Sequence, residues 1–74
     1  MAEFEYKIID HIATLSAKGN VTKELNYISY GGAKPKYDLR SWRIDGDNRQ
    51  MLKGLTMTVD EIDALWAALI GMGG

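Results

Sequence analysis

At Thr58 the period of the apolar residues changes from two to about 3.6, and that change dictates the plan of the whole chain. Before it, short alternating stretches are separated by turn residues. Over residues 4–16, Phe4, Tyr6, Ile8 and Ile12 share one parity with Glu5 and Lys7 between them, the pattern of a half-buried strand. Ile8-Ile9 and the later Ala13 and Leu15 break that parity, as one bulge would. Ala17-Lys18-Gly19-Asn20 is a turn signal. A second strand over 21–30 ends at Gly31-Gly32, where glycine supplies the backbone dihedrals of a hairpin. Pro35 stands at the start of a third strand, where a missing N–H does least harm. That strand, Lys36 to Arg43, puts Lys36, Asp38, Arg40 and Trp42 on one parity and Tyr37, Leu39, Ser41 and Arg43 on the other. Asp45-Gly46-Asp47-Asn48 is a polar loop, and Met51 to Met57 is a fourth strand.

From Thr58 onward a helix is expected. Thr58 with Glu61 three residues on fits a capping box, and Asp60, Glu61 and Asp63 suit the positive end of the helix dipole. Val59, Ile62, Leu65, Trp66, Leu69 and Ile70 form one apolar stripe. Gly71 is a natural stop, with Met72-Gly73-Gly74 fraying beyond it. The order ββββα gives an α+β fold, an antiparallel four-stranded meander followed by one amphipathic helix. It makes one domain over residues 1–70 with a Gly-rich tail over 71–74.

A chain of 74 residues buries too little surface for a comfortable monomer core. It has no cysteine and a single histidine, His11, so neither disulfides nor a structural zinc site can supplement that core. The remaining device is to borrow core from a second copy. A homodimer is therefore expected, with Val59, Ile62, Leu65, Trp66 and Leu69 of the helix at its interface. No apolar run reaches membrane-spanning length and no signal-type segment opens the chain, so the expected location is cytoplasmic.

Enzyme chemistry finds little to work with. His11 has no triad or dyad partners at a recognised spacing. Asp45-Gly46-Asp47-Asn48 lacks the glycine and glutamate that complete a calcium loop. Gly31-Gly32 is too short to cradle a phosphate. The expectation is a protein that is not an enzyme, with no metal, cofactor or small-molecule substrate. The charges are more informative. Net charge is −1, yet residues 18–53 hold eight of the nine Lys and Arg and only four acids, Glu24, Asp38, Asp45 and Asp47. Lys23, Tyr27, Tyr30, Lys34, Lys36, Arg40, Trp42 and Lys53 lie on or beside the expected sheet. Single-stranded nucleic acid wants this mixture, cations along the phosphates and flat side chains under unpaired bases. The plainer reading is that tyrosine and tryptophan are good strand residues and the lysines keep an exposed sheet soluble.

From Lys36 the chain reads KYDLRSW, a polar loop, then MLKGLTMT and a helix with an acidic first turn. Asp38-Leu39-Arg40, Trp42 and Lys53-Gly54-Leu55-Thr56-Met57 resemble the signature of the positive-cofactor-four family of transcriptional coactivators. Lys23-Glu24-Leu25-Asn26 and Pro35-Lys36-Tyr37-Asp38 are similar to its small bacterial YdbC-like branch. The resemblance covers roughly residues 4–70. It implies a homodimer of curved sheets joined largely through the helices, binding single-stranded DNA with little sequence preference in transcription regulation, replication or repair, in association with the nucleoid. By that resemblance Arg40 is a phosphate contact and Trp42 a stacking platform. Tyr30 takes the hairpin aromatic position with Lys34 and Lys36 as the cations beside it, and Lys23 and Lys53 are the basic positions of the second and fourth strands. In eukaryotic members the aromatic follows the arginine by three residues; here Trp42 follows Arg40 by two, which keeps both on one face of a regular strand. Other roles stay open for the same residues. Arg40 can pair with Asp38 on its own face, Trp42 can be core or dimer interface, and Lys53 can be a solvated edge charge. RNA binding, or docking of an acidic protein on the basic sheet, are the competing functions.

Overall fold

The computed structural model describes residues 5–73. Strands β1 (Tyr6–Lys18), β2 (Val21–Tyr30), β3 (Lys36–Asp45) and β4 (Asn48–Met57) form one antiparallel sheet in the order β1-β2-β3-β4, followed by helix α1 (Val59–Gly73). The expected ββββα plan is the observed one. Phe4, read as the first residue of β1, lies outside the described residues, as does Gly74.

The two tight hairpins share one solution. Lys18 pairs with Val21 and Asp45 with Asn48, leaving Gly19-Asn20 and Gly46-Asp47 as two-residue turns. Only the first residue of each has positive φ, 58° at Gly19 and 60° at Gly46, which is the glycine-first turn that matches the twist of the flanking strands. The strands consequently run closer to their turns than the sequence suggests. Ala17 and Lys18 belong to β1, and β4 starts at Asn48 rather than Met51.

Alternation breaks three times in β1, not once. The register shifts between Ile8 and Asp10, His11 and Ala13, and Thr14 and Ser16. Each shift leaves one apolar residue unpaired, and Ile9, Ile12 and Leu15 are exposed at a spacing of three. A fourth shift, on β4 opposite Arg40 and Trp42, bends the other edge. Bulges increase local twist, and the sheet coils accordingly. Tyr6 pairs with Tyr30 at one end of β2, while Trp42 pairs with Thr22 at the other. On a flat ladder those ends lie about 26 Å apart. The Tyr6 and Trp42 rings are nevertheless 5.6 Å apart, so diagonal corners of the sheet fold toward each other across one face.

That coil makes an inside and an outside. Residues paired across strands share a face. Glu24, Asn26 and Ile28 of β2, with Asp38 and Trp42 of β3, are on the inner face, and all are buried. Lys23, Leu25 and Tyr27 face outward with Ser41, Leu39 and Tyr37. Ile28 and Trp42 are the only fully buried apolar side chains among the described residues. Most of the interior is polar.

The helix begins as the sequence suggests. The Glu61 N–H donates to Thr58 Oγ1 at 3.2 Å, and the Thr58 N–H donates to Glu61 Oε1 at 2.8 Å, closing the capping box. It does not stop at Gly71, and no tail begins there. Gly71 keeps a negative φ and the helix continues to Gly73. With open space around Gly71 and no proline following, nothing forces the left-handed cap that would end it. Among the described residues the helix touches only β3 and β4, and lightly. Val59, Leu65, Trp66, Leu69, Ile70 and Met72 stay exposed on it, Trp66 at 66%. No helix among the described residues is long and apolar enough to cross a membrane.

Candidate nucleic-acid interface

The inner face is a closed acid–base network. The buried Asp38 carboxylate accepts from Arg40 Nε at 2.6 Å and Arg40 Nη2 at 2.7 Å, and from the Tyr30 hydroxyl at 2.5 Å. Arg40 Nη1 donates to the Leu52 carbonyl at 3.0 Å, and Nη2 also reaches the Tyr30 oxygen at 3.4 Å. Asp38 hydrogen bonding outweighs the desolvation that opposes it and holds the Arg40 guanidinium above its ordinary pKa. Burial, then the Asp38 hydrogen bond and charge, push the Tyr30 phenol up to about 12.

Beside it, Glu24 accepts from Thr22 Oγ1 at 2.7 Å, Asn26 Nδ2 at 3.2 Å and Arg49 Nη2 at 2.7 Å. Burial alone raises the Glu24 pKa, but these three hydrogen bonds and the Arg49 charge outweigh it, and the net shift is downward. His11 Nδ1 donates to Asn26 Oδ1 at 2.6 Å, and Nε2 lies 3.1 Å from Thr14 Oγ1. Arg49 also sits 4.8 Å from the centre of the Trp42 ring, a cation–π contact.

This network changes the reading of the Asp-Leu-Arg motif. Trp42 is 0% exposed, packed by Tyr6 and Arg49 inside the coil, so it cannot offer a face to a base. Arg40 spends its guanidinium on Asp38, Tyr30 and Leu52, and its side chain is 15% exposed, so it is a structural cation rather than a phosphate contact. Tyr30 lends its hydroxyl to the same cluster. The glycine of the Lys-Gly pair is structural too. Gly54 pairs with Arg40, and a Cβ built on it would meet Arg40 Cβ at 1.9 Å and the Leu39 carbonyl at 2.6 Å. Arginine and glycine therefore occur together because the close approach of β3 and β4 admits no side chain at residue 54.

The outer face presents different chemistry. Lys23 and Lys53 flank a shallow depression of about 510 Å³, lined also by Leu39, Arg40, Ser41, Gly54 and Leu55. Both lysines are exposed and, among the described residues, neither forms an ion pair, in contrast to Arg40 and Arg49. Leu39 and Leu55 are its apolar lining, and Leu39 pairs with Leu25 to extend a leucine row across three strands. One row further on, the half-buried rings of Tyr27 and Tyr37 lie 5.0 Å apart. The sheet thus separates the expected set. Lys23 and Lys53 share the outer depression, Tyr30, Lys36, Trp42 and the Arg40 guanidinium belong to the inner face although Arg40 also lines that depression, and Lys34 sits in the β2–β3 turn. Tyr27 and Tyr37 are outer-face aromatics; the sequence puts Tyr27 in the basic and aromatic set without a site role, and Tyr37 in no candidate set. Their shared parity with Lys23 and Leu39 was the available signal.

A protein of Treponema pallidum (strain Nichols), described as an uncharacterized protein, is 42% identical over 64 residues, 85% of this chain and 73% of that one. The chain belongs to that protein's family. No family model matches the chain.

Proposed function

We propose that this protein is a homodimeric single-stranded-DNA-binding protein of positive-cofactor-four type, holding the strand on the outer face of its sheet with little sequence preference. One observation carries the reading. The buried acids of the basic segment, Glu24 and Asp38, are neutralised inside the coil by Arg49 and Arg40, while Lys23 and Lys53 stand outside with no ion pair among the described residues. A chain of net charge −1 thereby keeps a cationic outer surface. Lysines over an apolar floor fit phosphates and sugars, and the Tyr27–Tyr37 pair supplies ring surface for unpaired bases.

The second copy completes the core. Trp66, two-thirds exposed, alone leaves on the order of 150 Å² of ring uncovered, and Leu65, Leu69 and Ile70 continue that surface. A stable dimer needs about 800 Å² per partner, and the helix stripe supplies its apolar centre. Transcription regulation, replication or repair on the nucleoid, in the cytoplasm, is the setting that suits such a binder.

The test is a titration of labelled oligo-dT and of a duplex of equal length at two salt concentrations. The single strand binds more tightly and weakens with salt. Equal affinity for duplex would remove the reading, because a sheet with two tyrosines has no element shaped for a major groove.

A further inference from the structure

A second depression, about 450 Å³, lies on the outer face against the first. Lys18, Ala17, Val21 and Thr22 line it, and it shares Lys23 and Ser41 with the Lys53 depression. Shared walls make the two one groove. We propose that this groove is a phosphodiester track crossing all four strands, with Lys18, Lys23 and Lys53 as its cations and Ser41 as a hydroxyl donor midway. The proposal rests on the nucleic-acid reading and adds the path of the strand and two residues, Lys18 and Ser41.

The register supports the path. Lys23 and Ser41 are directly opposite on β2 and β3, Lys18 pairs with Val21 at the hairpin end of β1, and Lys53 stands on β4. Strands lie about 4.8 Å apart, so the cations are spread over about 14 Å perpendicular to the strands. Arg43, paired with Val21, is exposed on the same face beside the track. Among the described residues Lys18, Lys23 and Lys53 form no ion pair, so each is available to an anion. The floor is Ala17, Val21, Leu39 and Leu55, with no aromatic ring, which suits sugar and backbone rather than stacked bases. Lys36 lies on the inner face opposite Ile28, about 16 Å along β2 from Lys23. Lys34 is in the turn beyond it. Neither can reach the groove without leaving its own side of the sheet.

The test measures oligo-dT affinity across a salt series for the intact chain and for Lys18→Ala, Lys53→Ala, Lys34→Ala and Lys36→Ala, each checked for an unchanged melting temperature. Lys18→Ala and Lys53→Ala each weaken binding several-fold and flatten the slope of log affinity against log salt by about 0.7. Lys34→Ala and Lys36→Ala leave affinity within about twofold and the slope intact. Loss at Lys34 and Lys36 with none at Lys18 would overturn the path while leaving single-strand binding in place. No binding of oligo-dT by the unaltered protein at low salt would instead remove the nucleic-acid reading itself. Capture of a poly-glutamate peptide that depends on Lys18, without oligonucleotide binding, would assign the groove to an acidic protein and overturn the track.

Discussion

Gly54→Ala adds one methyl group where the structure has no room for it. The new Cβ would lie 1.9 Å from Arg40 Cβ, 2.6 Å from Arg40 Cα and 2.6 Å from the Leu39 carbonyl oxygen. Ordinary carbon contacts are about 3.5–4.0 Å, and two of these three neighbours are backbone atoms, so β3 and β4 must part. Overpacking of this kind costs about 1–3 kcal/mol. Parting the strands also stretches the bond from Arg40 Nη1 to the Leu52 carbonyl, now 3.0 Å, a charged hydrogen bond worth roughly 1.5–3 kcal/mol. If Arg40 then pulls away from Asp38, a fully buried carboxylate keeps the Tyr30 hydroxyl but loses its charged partner, which costs a further few kcal/mol. The total is about 3 kcal/mol or more, a fall in Tm of roughly 12–24 °C for a domain this size. Gly71→Ala is the control. Gly71 is helical with nothing within 4 Å of an added Cβ, and the same substitution there gains up to about 1 kcal/mol of helix propensity. Thermal unfolding by circular dichroism at one protein concentration reads both. A Gly54→Ala Tm within about 3 °C of the unaltered protein would refute the close-approach argument.

Three further outcomes follow from the same contacts. In a spectrophotometric pH titration, Tyr30 ionises near 12. Its folded pKa is raised above the unfolded value of about 10, so the stability it contributes is complete below pH 10 and is lost as pH rises through 12; Tyr30→Phe removes that late step. Glu24 has a lowered folded pKa, so its contribution is present above the ordinary carboxyl value of 4.5 and is lost as pH falls through the folded value. Glu24→Gln should therefore make the acid side of the Tm–pH curve shallower, and an unchanged curve would count against the network. Leu65→Asp places a carboxylate in the helix stripe and should convert a particle of twice the monomer mass into monomer or unfolded chain by light scattering. A monomer mass for the unaltered protein at high concentration would remove the dimer.

The element order was legible because each strand alternates and each turn carries glycine, and because the helix opens with its own cap. What hid was long-range. The bulges of β1 fall every three residues, so Ile8, Ile9, Ile12, Ala13 and Leu15 look like one parity slip until a partner strand shows three. The parity of Asp38, Arg40 and Trp42 correctly places them on one face. Nothing local says that the sheet coils to bring Tyr6 against Trp42 and turn that face into an interior. Asp38 and Arg40 on one parity already admitted pairing, and that is the arrangement found. Lys23 and Lys53 were legible as exposed cations, but their juxtaposition depends on the sheet order, and Lys18 was hidden in what looked like a turn.

The outer-face account is tested most directly by mapping oligo-dT onto the protein with ¹H–¹⁵N correlation spectra. Backbone amides of Lys18, Lys23, Ser41 and Lys53 should shift progressively, while the buried indole N–H of Trp42 and the Arg40 Nε–H bonded to Asp38 stay where they are. If the largest shifts fall instead on the Trp42 indole, Arg40 and Lys36, with the groove lysines silent, the strand lies on the inner face and the account is contradicted.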